Sequence, residues 1–292
     1  MINNICFWLK NSRLFSLPMT ILSWFVIFTY CIKSHGDILN GVLALIGIAC
    51  GQLATNLFDD YIDYQKIKAE NAQVCKCAYI REVKATINDV LKVVGIYSAI
   101  ALLAGFIILL RTGLPVIWLA LIGGIIVLAY PKLSQLGFSE VAVAIAFGPL
   151  LFEGVHYVML KEFSFDILFL ALAVVMFTVG LMYVHTVLDY EGDKVSHKRT
   201  LVCRLGTKER AINGVWVVYG LGYLFTVILA LIWHNYFLFV TFALLPLIFN
   251  MWNSLKSYTC GGEEKEFYFR LLKARNLMVY YSVLVILCLM IF

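Results

Sequence analysis

Residues 38–64 have the sequence ILNGVLALIGIACGQLATNLFDDYIDY, in which an apolar run passes directly into a cluster of acidic residues. The apolar part has about the 20 residues that a helix needs to cross a bilayer. On a continuous helix, Asn56, Asp60 and Asp63 lie at positions i, i+4 and i+7 and share one face, with Asp59 beside it. The stretch therefore predicts a transmembrane helix that ends in a row of carboxylates.

Composition extends this prediction to the whole chain of 292 residues. Hydrophobic residues make up 62% of it, charged residues make up 14%, and the formal net charge is +5. A soluble domain has about 25% charged residues, so this chain has too little polar surface to cover a soluble fold. The mean hydropathy of +0.88 also excludes a disordered, collagen-like or coiled-coil chain. We expect an all-α integral membrane protein.

Nine apolar segments, each near the length of a membrane span, follow one another with short polar connections. No connection is long enough to form a further soluble domain, so we expect one transmembrane domain over 1–292. The predicted nine-helix bundle has spans at 14–33, 38–58, 90–110, 114–130, 138–160, 165–188, 211–233, 235–252 and 272–292.

The basic residues predict the orientation of the chain. Of the 23 Lys and Arg residues, all but Lys33, Arg111 and Lys161 lie at the N-terminus or near the connections that follow even-numbered spans. Connections rich in Lys and Arg stay on the cytoplasmic side of a membrane. We expect a multi-pass protein of a prokaryotic inner membrane, and the basic residues predict that its N-terminus is cytoplasmic.

A second acidic cluster closes the sixth predicted span. It consists of Asp189, Glu191 and Asp193, and a basic segment, His197-Lys198-Arg199-Thr200, follows it. Asp189 and Asp193 are four residues apart and share a face of a helix. The orientation above places both acidic clusters on the cytoplasmic side.

Carboxylates that share one face repel each other, and the repulsion is stronger at a membrane boundary than in water. Such clusters persist where they bind a cation, and Mg²⁺ prefers oxygen ligands and is often bound together with phosphates. The pattern favours Mg²⁺ and a diphosphate at the two clusters. Lys198 and Arg199 are candidate phosphate ligands.

Other interpretations stay open at this point. The carboxylates could simply face water at the interface. They could also belong to a cation-coupled transporter, which needs ionisable groups deeper in the spans. The candidates for such a relay are Glu140, Glu153, His156 and His185, and they form no evident pathway in the sequence. Cys75 and Cys77 are too closely spaced for the usual zinc motif and are interpreted as thiols.

At these residues the sequence resembles the UbiA superfamily of intramembrane prenyltransferases, which has an Asp-rich motif after the second and sixth helices of a nine-helix bundle. Within it, the stretch from Gln52 to Tyr64 is similar to the Asn-x-x-Asn-Asp-x-x-Asp signature of the MenA-like branch, the 1,4-dihydroxy-2-naphthoate polyprenyltransferases. Two further stretches, Phe147-Gly148-Pro149-Leu150 and Lys198-Arg199-Thr200-Leu201, are also similar to that branch. The resemblance covers roughly 10–210.

The resemblance implies a function and a set of site residues. It implies Mg²⁺-dependent transfer of a polyprenyl group from a polyprenyl diphosphate to an aromatic acceptor in menaquinone biosynthesis. The bilayer is then the working environment, and no nucleic acid or obligatory protein partner is expected. The implied catalytic residues are the Mg²⁺ ligands Asp60, Asp63, Asp189 and Asp193, together with Lys198, and the implied substrate-binding residues are Asn56, Asp59, Tyr130, Lys132, His185 and Arg199.

Three departures from the branch pattern concern the acceptor. Asp59 stands where the branch has its second Asn, and His185-Thr-Val-Leu188 replaces an Asn and Arg that often precede the second motif. The loop Cys75-Lys-Cys77-Ala-Tyr79 replaces a basic, Gly-rich loop. Another quinone precursor, a phenol or a lipid alcohol therefore stays open as the acceptor.

Overall fold

The computed structural model describes residues 5–70, 86–195, 200–258 and 264–291, and within these ranges the chain is helical with short turns and has no β-strand. A short 3₁₀ turn, Leu14–Ser16, follows the first helix. The helices are α1 (Ile5–Asn11), α2 (Leu17–Lys33), α3 (Ile38–Glu70), α4 (Ile87–Thr112), α5 (Pro115–Gln135), α6 (Ser139–Leu160), α7 (Phe165–Leu188), α8 (Tyr190–Val195), α9 (Leu201–Arg204), α10 (Lys208–Ile232), α11 (Tyr236–Lys256) and α12 (Glu264–Ile291). The first part of α11, Tyr236–Leu244, is a 3₁₀ helix.

Eight helices in the described ranges are long and apolar enough to cross a membrane, namely α3 to α7 and α10 to α12. The first predicted span, 14–33, corresponds to α2, which has 17 residues. A helix of that length is about 25 Å long, slightly less than the hydrocarbon thickness of about 30 Å. The all-helical membrane fold is confirmed, and the count of nine spans stays a prediction.

Helix α6 contains a break within one of the quoted motifs. Residues Ala146–Leu150 form a π-helical turn, and the backbone of Gly148 is non-helical at φ −97° and ψ −110°. Pro149 has no N–H and its ring conflicts with a regular helix, which accounts for the break. A Cβ at Gly148 would lie 2.9 Å from Val175 Cγ1 of α7, so the motif's glycine also allows the two helices to approach closely.

The helices form two compact units. The first consists of Met1–Ile21 and Asp37–Lys132. Within it, α3 packs along α4, and α1 packs against one end of this pair. The core at that end contains Trp8 and Leu57 with Val90 and Val93. The N-terminal segment is therefore held beside the acidic end of α3.

The second unit consists of Leu22–Gly36 and Leu133–Phe292, and α7 is its central helix. Helix α7 packs against α6, α10 and α12. Two reciprocal glycine–tyrosine contacts join α7 to α10. Gly180 of α7 faces the ring of Tyr219, and Gly214 of α10 faces the hydroxyl of Tyr183. The single domain over 1–292 stays a prediction.

Candidate active site

The first acidic cluster lies inside α3 rather than at its end. The predicted span ended at residue 58, but the helix continues to Glu70. Asn56, Asp60 and Asp63 are therefore on one continuous helix, as their spacing predicted. Asp59 and Asp60 are buried, with 8% and 5% of their surface exposed. The side chain of Asp63 lies outside the described part of the chain.

Arg13 faces this cluster and was not predicted as a site residue. Its Nη2 donates a hydrogen bond to Asp60 Oδ1 and lies 3.6 Å from Asp59 Oδ2. Burial disfavours the charged guanidinium, but the attraction of Asp60 and Asp59 outweighs burial and raises the pKa of Arg13. A cation therefore already lies against the two buried carboxylates of α3.

Hydrogen bonds from α3 fix the segment that carries Arg13. Asn56 Nδ2 donates to the carbonyl of Ser12 at 3.0 Å and to Ser16 Oγ at 3.1 Å, and Gln52 Nε2 donates to the carbonyl of Ser16 at 3.2 Å. Arg13 has left-handed backbone angles, φ 58° and ψ 48°, which cost a non-glycine residue about 1 kcal/mol or more. We infer that these bonds and the ion pair hold the strained residue in place. The predicted role of Asn56 in substrate binding stays a prediction.

Tyr130 of α5 acts electrostatically on Arg13 and contributes to its raised pKa, after the larger effects of burial, Asp60 and Asp59. Lys132 follows Pro131 in α5, and its side chain is exposed. Their predicted roles in substrate binding stay predictions.

The second acidic cluster lies at a break between two helices. Helix α7 ends at Leu188, Asp189 follows it with φ −86° and ψ 2°, and α8 begins at the next residue. The N–H of Asp193 still donates to the carbonyl of Asp189, at 2.9 Å. Asp193 is buried with 8% exposure, whereas the side chain of Asp189 is 37% exposed. The two predicted ligands thus keep their spacing of one turn but differ in burial.

His185 contacts the second cluster directly. Its Nδ1 lies 3.4 Å from Asp189 Oδ2, one helical turn further along the chain. The imidazole also meets the ring of Phe267 of α12 edge-on, with ring centroids 5.5 Å apart. His185 is therefore a neighbour of a predicted metal ligand, and its predicted role in substrate binding stays a prediction.

Glu140 was predicted only as part of a transport relay, but it contacts Thr186 at the end of α7 that carries the second cluster. It is buried with 3% exposure, and its carboxylate accepts hydrogen bonds from Ser139 Oγ at 2.9 Å and Thr186 Oγ1 at 3.1 Å. Thr186 precedes Asp189 by three residues on α7. Glu140 thus links the start of α6 to the end of α7 that carries the second cluster.

The segment that follows the second cluster folds back and contacts α8. The hydroxyl of Tyr190 donates to the carbonyl of Gly206 at 2.8 Å, and Thr200 Oγ1 caps α9 by accepting from the N–H of Cys203. The predicted phosphate ligands Lys198 and Arg199 lie outside the described residues. So do Cys75 and Cys77.

The chemistry of these groups fits Mg²⁺. In the described ranges, no group of three or more His, Cys, Asp or Glu side chains could hold a metal ion by itself. Mg²⁺ is commonly bound by one or two carboxylates while phosphates and waters complete its octahedron. Asp60 is a buried carboxylate of this kind, and its contact with the Arg13 guanidinium shows that its surroundings accommodate a positive charge.

Comparison with known proteins identifies the family. Residues 17–277 match the UbiA prenyltransferase family. The chain belongs to this family. The resemblance given above is confirmed at the level of the superfamily, as is the expectation that the protein is a prenyltransferase. No match was found among curated proteins.

Solved structures show that the chain has the UbiA fold. A UbiA homologue from Archaeoglobus fulgidus bound to dimethylallyl diphosphate (DMAPP) and Mg²⁺ superposes with a TM-score of 0.68 at 14% identity, covering 95% of this chain and 98% of that one. An apo UbiA homologue from Aeropyrum pernix K1 gives 0.68 at 14% identity, with coverage of 94% and 98%. A digeranylgeranylglyceryl phosphate synthase gives 0.65 at 15% identity, with 98% of each chain covered.

Proposed function

We propose that this UbiA family member transfers a polyprenyl group from a polyprenyl diphosphate to 1,4-dihydroxy-2-naphthoate, in a Mg²⁺-dependent step of menaquinone biosynthesis. The observation that carries the proposal is the buried pair Asp59 and Asp60, which faces a cation at the first Asp-rich motif of the family. A. fulgidus homologues with the same fold have been solved with Mg²⁺ and either geranyl diphosphate or DMAPP.

The proposed metal ligands are Asp60 and Asp63 of the first cluster and Asp189 and Asp193 of the second. Bound Mg²⁺ would neutralise the charge that develops on the leaving diphosphate. Lys198 and Arg199 would donate hydrogen bonds to phosphate oxygens, because charged donors bind phosphate strongly. Asn56, Asp59, Tyr130, Lys132 and His185 are proposed to surround the substrates.

The proposed reaction breaks the allylic C–O bond of the prenyl diphosphate and forms a C–C bond to the acceptor. The allylic C–O bond breaks and the diphosphate leaves with the electron pair, so positive charge develops on the allylic carbon. An electron-rich ring carbon of the acceptor then forms the new C–C bond and loses the group it carried, a proton or carbon dioxide. The transmembrane helices exclude water, which would otherwise capture the allylic cation.

The identity of the acceptor rests on the resemblance of the stretch from Gln52 to Tyr64 to the naphthoate branch. The contact that His185 makes favours a second candidate for the acceptor. His185, rather than the branch's usual residues, contacts Asp189, so the groups around the acceptor differ from that pattern. The alternative acceptor is therefore another quinone precursor, a phenol or a lipid alcohol.

The test is a product assay on the purified full chain in lipid nanodiscs. The protein is incubated with Mg²⁺, prenyl diphosphates of several lengths and a panel of acceptors that includes 1,4-dihydroxy-2-naphthoate, 4-hydroxybenzoate and geranylgeranylglyceryl phosphate. We expect mass spectrometry to detect the prenylated naphthoate product, and its mass to report whether carbon dioxide is lost.

Two outcomes would contradict parts of the proposal separately. Prenylation of 4-hydroxybenzoate or of the glycerol lipid alone would leave prenyl transfer in place and replace the acceptor. Product formation that is unchanged after removal of divalent cations with EDTA would contradict the metal requirement.

A further inference from the structure

The contact between Arg13 and the first acidic cluster has a consequence for metal binding. Arg13 Nη2 occupies Oδ1 of Asp60, and Mg²⁺ cannot bind that oxygen while the guanidinium holds it. Arg13 is placed there by its left-handed backbone and by the hydrogen bonds from Asn56 and Gln52, all within the first unit. The contact is therefore a built feature of this unit rather than one position of a freely moving surface side chain.

We propose that Arg13 is a resident counter-ion of Asp59 and Asp60, which Mg²⁺ must displace in order to bind. This inference rests on the proposed function, because it takes Asp60 as a metal ligand. It adds that the cluster has low affinity for Mg²⁺ alone. A diphosphate raises the affinity because it ligates the metal and gives the displaced guanidinium a new anionic partner.

The charges around the cluster support this role. Two buried carboxylates without a counter-ion would destabilise the fold, because buried charge is tolerated only when it is paired. Arg13 provides that pairing while the metal is absent. The side chain of Arg13 is 33% exposed, compared with 11% and 6% for Asp59 and Asp60, so Arg13 is the most exposed of the three side chains.

The experiment measures metal binding directly and does not require turnover. Mn²⁺ replaces Mg²⁺, and electron paramagnetic resonance reports free Mn²⁺ during titration of the full chain, with and without inorganic pyrophosphate. We expect the wild-type protein to bind Mn²⁺ weakly alone and at least tenfold more tightly with pyrophosphate. Arg13→Asn should bind Mn²⁺ alone about tenfold more tightly than wild type, because a charge-assisted hydrogen bond no longer competes.

The variants distinguish the effect of the positive charge of Arg13 from the effect of its backbone conformation. Asparagine tolerates the left-handed conformation that position 13 requires. Arg13→Lys keeps the charge and should stay within about threefold of wild type. Lys10→Asn is the matched control, because it removes a positive charge from the same segment at an exposed residue of α1, and it should behave as wild type.

The outcomes distinguish this inference from the proposed function. Equal Mn²⁺ affinity of Arg13→Asn and wild type, with binding abolished by Asp60→Asn, would overturn the counter-ion role and leave the metal site intact. If Mn²⁺ with pyrophosphate does not bind, or if Asp60→Asn does not weaken its binding, the metal site fails and the inference fails with it.

A second measurement uses the wild-type chain and does not depend on the folding of a variant. Phenylglyoxal modifies arginine side chains, and mass spectrometry of the peptide that contains Arg13 gives the rate. Saturating Mn²⁺ alone should increase that rate several-fold, because the displaced guanidinium becomes accessible. An unchanged rate at Mn²⁺ saturation would overturn the proposal.

Discussion

Asp60 and Asp193 are buried carboxylates, one in each acidic cluster, and both are proposed metal ligands. Asp60→Asn and Asp193→Asn keep the shape of the side chain but remove its negative charge. We expect each variant to lower kcat about 100-fold or more, or about 2.7 kcal/mol of transition-state stabilisation. The measurement is product formation by mass spectrometry at saturating substrate.

The control for these variants is Asp37→Asn. Asp37 precedes α3 at its opposite end and is paired with Arg111, whose Nη2 lies 2.7 Å from Asp37 Oδ2. This partly exposed ion pair contributes about 1 kcal/mol or less to stability, so activity should stay within about twofold of wild type. Near-normal activity of both cluster variants would remove the assignment of these carboxylates as ligands.

Glu140 is buried and accepts a hydrogen bond from the half-buried Thr186, and we expect this bond to position the second cluster. Thr186→Val removes the hydroxyl at nearly constant volume, and Glu140→Gln removes the charge. A hydrogen bond to a charged group contributes about 1.5–3 kcal/mol, so each variant should lower the thermal stability of the purified protein.

A double-mutant cycle tests whether the two side chains act together. If they do, the double variant should lose less stability than the two single variants combined, since Thr186→Val removes the bond and Glu140→Gln removes the charge that strengthens the same bond. Fully additive losses would show that Glu140 and Thr186 contribute independently.

The sequence predicted some individual site residues and missed others, and the difference has a physical reason. The spacing of Asn56, Asp60 and Asp63 is a local property of one helix, and α3 continues through all three. Arg13 lies 47 residues before Asp60 in sequence and reaches it only through tertiary packing. Without that packing it is one of many basic residues near the predicted cytoplasmic connections, so no local pattern could single it out.

Individual helices show where hydropathy predicts structure and where it does not. Each predicted span has a helical counterpart, because a backbone in lipid must satisfy its own hydrogen bonds. Hydropathy marked only the apolar part of the second span, 38–58, whereas the helix itself continues to Glu70 through polar residues. It also did not predict the π turn at Gly148 and Pro149, because hydropathy does not register the missing N–H of a proline.

The close packing of α7 and α10 depends on glycine at their contact. A Cβ added at Gly180 would lie 2.6 Å from Tyr219 Cζ in a fully buried ring. Gly180→Ala should therefore force the helices apart and destabilise the protein by about 1–3 kcal/mol. The measurement is the thermal unfolding temperature in a fixed detergent.

Gly154→Ala is the matched control on α6, because a Cβ at this position would meet nothing within 4 Å. Replacing a helical glycine by alanine there should leave stability unchanged or raise it by up to about 1 kcal/mol. Equal unfolding temperatures for the two alanine variants would contradict the packing of α7 on α10.

Over the whole molecule, composition predicted the class of protein and the residues at the two acidic clusters indicated the family. The acceptor was not predicted in the same way, because its recognition depends on side chains around the site rather than on hydropathy or spacing. His185 illustrates this, since its contacts with Asp189 and Phe267 arise from the packing of α7 and α12. The orientation of the molecule in the membrane is the remaining global property that the sequence predicts.

The orientation can be tested with α7, whose 24 residues span about 36 Å, enough to place its ends on opposite sides of a bilayer. Lys194 lies beyond one end and Glu162 before the other, and both are exposed. Glu162 is preferable to Lys161, which has a left-handed backbone at φ 62°.

The reporters are Lys194→Cys and Glu162→Cys, each in a chain whose eight native cysteines are replaced. Intact cells that contain them are treated with a membrane-impermeant thiol reagent. Because basic connections remain in the cytoplasm, Glu162→Cys should be labelled at once and Lys194→Cys only after the membrane is opened. The reverse pattern would place the second acidic cluster outside, where a diphosphate made in the cytoplasm could reach it only by crossing the bilayer.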